Sequence, residues 1–340
     1  MKDSLHGRTA NAALAASIMA SAQPAPYVPG AQSGHESITT ANASLFVQAH
    51  FSEPLTNYAT GWRDTSGLQE LCDFLAPALP GVTERYEHIT YPNAEAFLSD
   101  VNADDDLRAI GGDFKTVDYT SAKTTRTVPN RGLRIVLDWD RIKDMPNWQE
   151  TYTNLLIGRI LRNAARRKYA LAVAAATDVA PVWDSSGDAD YDVANNVQIA
   201  GDSSGITPTH ALWGLGAQLL RMQSYGASNT PKGYAGRALS PVEASQKLGL
   251  QAMIADARYQ AGTSKSRIVG TKVILFTSAP SGTMDPSNFK TARANTSQGS
   301  LRAVYVRQLS VKQWEIVVEV YETEFTATTL GVRSLSPTSA

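Results

Sequence analysis

Residues 148–176 read WQETYTNLLIGRILRNAARRKYALAVAAA. Trp148, Tyr152, Leu155, Leu156 and Ile160 recur at the spacing of one helix face. Asn147, with Glu150 three residues on, resembles a capping box. No proline follows until Pro181. The spacing predicts a helix over about 148–176, some 29 residues, which is roughly 43 Å at the α-helical rise. Globular helices average about 11–12 residues, so this one is long for a globular domain. Arg159, Arg162 and Arg166 fall at i, i+3 and i+7, with Arg167 and Lys168 beside them. Such a basic stripe is either a solvated face or one that meets acidic neighbours or phosphate.

Upstream, Glu84–Tyr91 has strand character. Residues 93–113 turn polar, with an acidic cluster Asp104-Asp105-Asp106 and a joint at Gly111-Gly112. Phe114–Val128 resumes alternation, with Phe114, Thr116 and Asp118 opposed to Lys115, Val117 and Tyr119. Residues 84–128 therefore read as a long two-stranded hairpin with an elaborate tip. A lone two-stranded ribbon is marginal in water, so this one points to a partner chain. Leu68–Leu75 is a short apolar stretch closed by Pro77 and Pro80. Residues 1–66 are rich in Ala, Ser, Thr and Pro and offer no convincing core segment. The run Asn11–Ala20, after Lys2 and Arg8 and before Ala20-Ser21-Ala22, imitates a secretion signal. It is alanine rather than leucine, and a loosely ordered arm is the better reading.

Downstream, Leu133–Trp139 reads as a strand and residues 184–208 as a Gly/Asp/Ser-rich connection. Thr209–Tyr225 and Pro241–Tyr259 read as helices, the second opened by Ser240, Pro241 and Glu243. Thr271–Thr277 is a buried-type strand, followed by a polar loop over 278–300. Arg302–Leu309 and Gln313–Tyr321 flank a turn at Ser310–Lys312. In the second of these, Trp314, Ile316, Val318 and Val320 share a face opposite Gln313, Glu315, Val317 and Glu319. Helices and antiparallel strands are segregated, which favours an α+β class.

The chain has 340 residues, 43% hydrophobic, and a formal net charge of −1. That balance argues against a protein whose whole surface grips nucleic acid. Cys72 is the sole cysteine, which excludes an intrachain disulfide and a cysteine zinc cluster. It reads as a small buried apolar residue. No stretch approaches the ~20 apolar residues of a membrane span. Phosphate-loop and dinucleotide fingerprints are missing, and His6, His35, His50, His88 and His210 include no i, i+4 pair. Gly201-Asp202-Ser203-Ser204-Gly205 matches GxSxG after a strand-like Asn196–Ala200. In a hydrolase Ser203 would sit on a sharp turn before a helix, but Pro208 stands where that helix would run. A polar turn is the plainer reading. The carboxylates Asp104–Asp106 and Asp184, Asp188 and Asp190 lack EF-hand spacing. No catalytic, cofactor or metal residue is expected.

The order of parts resembles a known family. The carriers are Leu75-Ala76-Pro77, Tyr86-Glu87, Tyr91-Pro92-Asn93-Ala94-Glu95-Ala96-Phe97, Val128-Pro129-Asn130-Arg131-Gly132-Leu133, and Trp148 leading into the Arg-rich helix. The helix from Ser240-Pro241 to Ala255-Asp256-Ala257-Arg258-Tyr259, the strand Gly270–Thr277 and the closing β segment follow in step. The set resembles the major capsid proteins of tailed bacteriophages, which share the HK97 fold. The resemblance implies an N-terminal arm over 1–66 and an extended loop over 84–130. It implies a peripheral domain from 67–83, 131–205 and 296–340 with a spine helix over 148–176, and an axial domain over 206–295.

As a function it implies self-assembly into hexamers and pentamers of an icosahedral head around double-stranded DNA, bound on the inner face without sequence specificity. The protein would be a virion component assembled in the host bacterial cytoplasm. No N-terminal coiled-coil segment stands in for a scaffold, so the implied partners are a separate scaffolding protein, a portal and optionally a decoration protein. An encapsulin-like nanocompartment shell is the alternative, and a hydrolase using Ser203 a distant third. Arg108, Lys115, Lys123 and Arg126 on the hairpin, with Arg159, Arg162 and Arg166 on the helix, are the candidate inter-subunit contacts. Some family members cross-link through a loop lysine. No acceptor motif matches Lys115 or Lys123, so that chemistry is not carried over.

Overall fold

The computed structural model describes residues 50–79, 82–90, 121–228, 230–279 and 286–339, with isolated positions between 92 and 114. Residues 1–49, and with them most of the expected arm and the signal-like run, lie outside the described residues.

A 14-residue strand, Gln313–Thr326, organises the first sheet. It pairs antiparallel with Arg302–Ser310, Asn130–Asp138 and Phe289–Ala294. The last of these takes Ala78–Leu79 as a parallel partner. Side chains alternate along a strand, so Ile316, Val318 and Val320 turn into the core while Val317 and Glu319 turn away. Above that apolar row lies the helix Trp148–Ala175, 28 residues long, one shorter than its spacing predicts. Leu156, Ile157, Leu161, Ala164 and Ala172 form its buried stripe. Trp148 meets Trp314 edge-on at 5.9 Å. The expected capping box does not form: Asn147 adopts a left-handed backbone (φ 58°) and its side chain makes no cap bond. In that conformation the side chain is not aimed back at the first-turn amides.

Among the described residues, two helices precede the hairpin. Leu68–Leu75 buries Leu68, Leu71, Cys72 and Leu75. Glu53–Gly61 corrects the expectation that nothing in 1–66 enters the core. Leu55 and Ala59 are buried against the long helix's cluster, and Ser52 N donates to Val304 O. With only one large buried aliphatic, this nine-residue helix lacked a readable stripe.

The second sheet runs in the order Thr177–Val179, Arg333–Leu335, Val273–Phe276, His210–Gly214, Gln251–Ala255. Its core holds Trp183, Val193, Trp213, Tyr225, Leu250 and Leu335. Several expectations fail here. The helix placed over Thr209–Tyr225 begins only at Leu215, because His210–Gly214 is a strand between two neighbours. A Cβ at Gly214 would stand 2.2 Å from Gly270 O, so close backbone packing ends that strand. The helix Pro241–Tyr259 stops at Lys247. Its capping box at Ser240 and Glu243 is present, but Gly249 at φ 76° turns the chain into the strand Gln251–Ala255. The connection 184–208 contains a helix, Ala189–Ser204, started by Asp188 accepting from Tyr191 N. The polar loop 278–300 contains the buried strand Phe289–Ala294. Helix Pro231–Ala238 was not foreseen.

Phe289–Ala294 belongs to the first sheet, and Thr177–Val179 and Arg333–Leu335 belong to the second. One apolar cluster crosses from Leu156 and Ile316 to Leu212, Ile274 and Phe276, so the two sheets share a core. Ile316 is fully buried in it. Ile316→Ala should cost about 3 kcal/mol, read as a lowered midpoint in urea with an unchanged slope.

Candidate inter-subunit surface

The hairpin is present at its root. Arg85–Thr90 pairs antiparallel with Ala122–Thr127, from Arg85↔Thr127 to Thr90↔Ala122. Only one face of this ribbon is supported. Tyr86 and His88 turn inward onto Phe325, with ring centroids at 5.6 and 4.4 Å. Val128, Ala292, Ala294 and Ala327 complete that small core. Arg85, Glu87, Lys123 and Arg126 are exposed.

Of the predicted contact residues on the hairpin, Lys123 and Arg126 therefore stand free of the core, on the strand that faces His88. Arg108 is exposed; its Nε donates to Gly112 O at 2.6 Å, and its guanidinium lies 4.9 Å over the Phe114 ring. Lys115 lies outside the described residues. The sequence reading missed one feature of the tip. Leu107, Ile110 and Phe114 are 79, 107 and 74% exposed. Exposed apolar side chains of this size are candidates for a contact surface. Their residue types were visible, but a loop gives no period from which to infer a face.

The basic stripe of the long helix is divided by the fold. Arg159 is exposed and Arg162 half-buried. Arg166 is also exposed, but its guanidinium lies 4.0 Å over the ring of Tyr259. Arg167 is chelated by Glu324, with Nε at 3.0 Å from both carboxylate oxygens and Nη2 at 2.7 Å from Oε1. Lys168 is buried and donates to Cys72 O and Ala76 O, capping the helix Leu68–Leu75. The five cations are thus not one solvated face. Helical rotation carries the last two inward, to carboxylates and carbonyls supplied by distant segments.

Glu322 sits at the centre of that ionic cluster. Arg293 Nε lies 2.7 Å and Arg167 Nη2 3.9 Å from it. Burial pushes the Glu322 carboxyl upward, but Arg293, Lys168 and Arg167 together outweigh it and hold the group below the ordinary carboxylate range. Nearby, burial pushes the Cys72 thiol up to about 11, an unreactive form. A cavity of about 470 Å³ adjoins the cluster, with Ile157, Ile160 and Val318 among its apolar lining and Arg293 and Arg302 among its polar lining.

Ser203 lies in the last turn of the helix Ala189–Ser204, its hydroxyl donating to Ala200 O at 3.3 Å. A helix and not a strand precedes it, so the elbow that GxSxG would need is not built. His210 bonds Thr209 Oγ1 at 2.8 Å and packs against Phe74 and Phe276. Among the described residues no cluster of three His, Cys, Asp or Glu side chains could hold a metal, and no helix is long and apolar enough to cross a membrane.

Glu322→Gln should cost about 3 kcal/mol at neutral pH, because it strands the buried Arg293. The folded carboxyl value lies below the unfolded one. The wild-type advantage is therefore full above about pH 4.3 and fades as pH falls through the folded value. Denaturation midpoints of the two proteins measured from pH 7 to pH 3 should converge.

No family model matches the sequence, and no curated protein matches it. Solved structures do. A phage-related protein from Bordetella bronchiseptica RB50 superposes with a TM-score of 0.63 at 16% identity, over 84% of this chain and 97% of that one. A structure from Mycobacterium phage Che8 gives 0.49 at 10% identity, over 81% and 92%. The capsid structure of Cyanophage P-SCSP1u gives 0.47 at 8% identity, over 79% and 88%. The first of these carries the conclusion: helix, sheets and hairpin root compose an α+β fold of the HK97-like kind.

Proposed function

We propose that this chain is a major capsid protein of a tailed bacteriophage, a structural subunit of an icosahedral shell built from hexamers and pentamers. The observation that carries the reading is the hairpin. Its root is anchored by Tyr86 and His88 on Phe325, while Leu107, Ile110 and Phe114, between its two strands in sequence, are exposed. Exposed apolar side chains of this size need a surface to receive them. A second copy supplies that surface in every subunit at once, so modest contacts are multiplied by symmetry. The fold shared along 97% of a phage-related protein supports the same reading.

On this reading Arg108, Lys115, Lys123 and Arg126 meet carboxylates of neighbours, and Arg159 and Arg162 remain available on the helix. Arg166 acts by holding Tyr259. The enclosed double-stranded DNA is met without sequence specificity, through local basic groups on a chain of net charge −1. A scaffolding protein and a portal are separate chains, and the protein resides in the virion after assembly in the host cytoplasm. Electron microscopy of the purified full-length chain tests the reading: closed shells support it, and a monodisperse monomer under all assembly conditions ends it. Deleting residues 95–112 should leave a subunit with wild-type far-UV dichroism that forms no shells.

A further inference from the structure

Two long strands flank Gln313–Thr326 in the first sheet, and their outer edges differ. The edge of Arg302–Ser310 is covered by the chain itself: Ser52 N donates to Val304 O, and Val304 N donates to Thr56 Oγ1. On the other side lies Asn130–Asp138, and among the described residues no strand pairs with its outer edge. Trp139 N donates inward to Lys312 O. Backbone groups alternate in direction along an antiparallel pair. The amides and carbonyls of Gly132, Arg134, Val136 and Asp138 therefore point to the open edge. Natural sheets leave edges to solvent only when they are short, bulged, proline-bearing or charged. This one runs nine residues in unbroken register without a proline.

The side chains along it are self-complementary. Arg134, Val136 and Asp138 share the face away from the long helix, and all three are exposed. Arg134 lies 3.2 Å from Glu315, which Arg307 also holds. Lys312, next to Asp138 across the strand pair, is bonded to Asp140 at 2.9 Å. On the helix side, Ile135 is half-buried and Leu137 buried.

We propose that this edge pairs with the same edge of a second copy, antiparallel, about a two-fold axis at Val136. In that register Val136 faces Val136, and Arg134 of each copy faces Asp138 of the other. On the opposite face Ile135 meets Leu137. A register centred on Arg134 would instead oppose two guanidinium groups. The outward amides and carbonyls of Arg134, Val136 and Asp138 bond across the axis, two bonds per residue pair, and opposite charges facing across strands add to the pairing. One patch serves both copies, as an isologous contact requires. That a second copy is at hand rests on the shell reading above; the self-complementarity of the edge does not.

Cross-linking of the purified full-length chain, in whatever state it adopts, tests the pairing. Opposed Val136 residues have Cα atoms about 5.5 Å apart, within reach of a disulfide, and Cys72 is buried. Under diamide, Val136→Cys should give a covalent dimer as the main product. In Arg134→Cys the two thiols stand four residues apart, about 13 Å along the strands, and the yield should be roughly tenfold lower. Adding Asp138→Lys to Val136→Cys should also cut the yield roughly tenfold, because both ion pairs become like-charged; adding Arg134→Glu as well should restore it. A Val136→Cys yield no higher than that of Arg134→Cys overturns the pairing. Val136→Pro removes an amide that serves no bond within the subunit, so its far-UV dichroism should match wild type. If it abolishes particles while Val136→Cys gives no dimer, a different strand occupies the edge, and the two-fold pairing is overturned. A covalent dimer from chains that never close into shells upholds the edge and overturns the shell reading.

Discussion

Arg167 gripped by Glu324 and Glu322 is the contact on which the rest is arranged. It ties the long helix to the strand Gln313–Thr326, near the end where the strand's apolar row gives out. Ile316, Val318 and Val320 hold the helix by burial, which has no preferred angle. The carboxylates two and four residues beyond add direction, because a bidentate guanidinium pair tolerates little sliding. Arg131 and Arg293 approach the same acids from neighbouring strands. Desolvating such a group of charges is expensive, so its gain lies in fixing one helix position as much as in stability.

The same strand then sets the hairpin. Residues that alternate away from the helix include Tyr321 and Phe325, and Phe325 is the surface on which Tyr86 and His88 rest. Helix and hairpin are therefore referenced to opposite sides of one strand. The hairpin root is thereby held at a fixed angle to the long helix.

Long, strongly periodic segments were legible from sequence: the helix from Trp148, the strands from Arg302 and Gln313, and the hairpin root. What escaped was decided by partners far along the chain. Phe289–Ala294 carries Lys290 and Arg293 and reads as loop until Glu322 is placed beside Arg293. Gln251–Ala255 continues a helical spacing and becomes a strand because His210–Gly214 lies alongside it. Thr177–Val179 and Arg333–Leu335 are three residues each, too short for any period. Within the candidate surface, residue types were readable but directions were not. Arg159 and Arg166 share a stripe, and only the position of Tyr259 distinguishes a free cation from an occupied one.

The order of the second sheet has a temporal consequence. Arg333–Leu335, the last in sequence of this sheet's five strands, lies between Thr177–Val179 and Val273–Phe276 rather than at an edge. A nascent chain that has not yet delivered this strand carries an open slot through the middle of that sheet, with Leu335 missing from its core. Synthesis itself then acts as a gate: the middle of this sheet is completed only after Arg333–Leu335 has emerged.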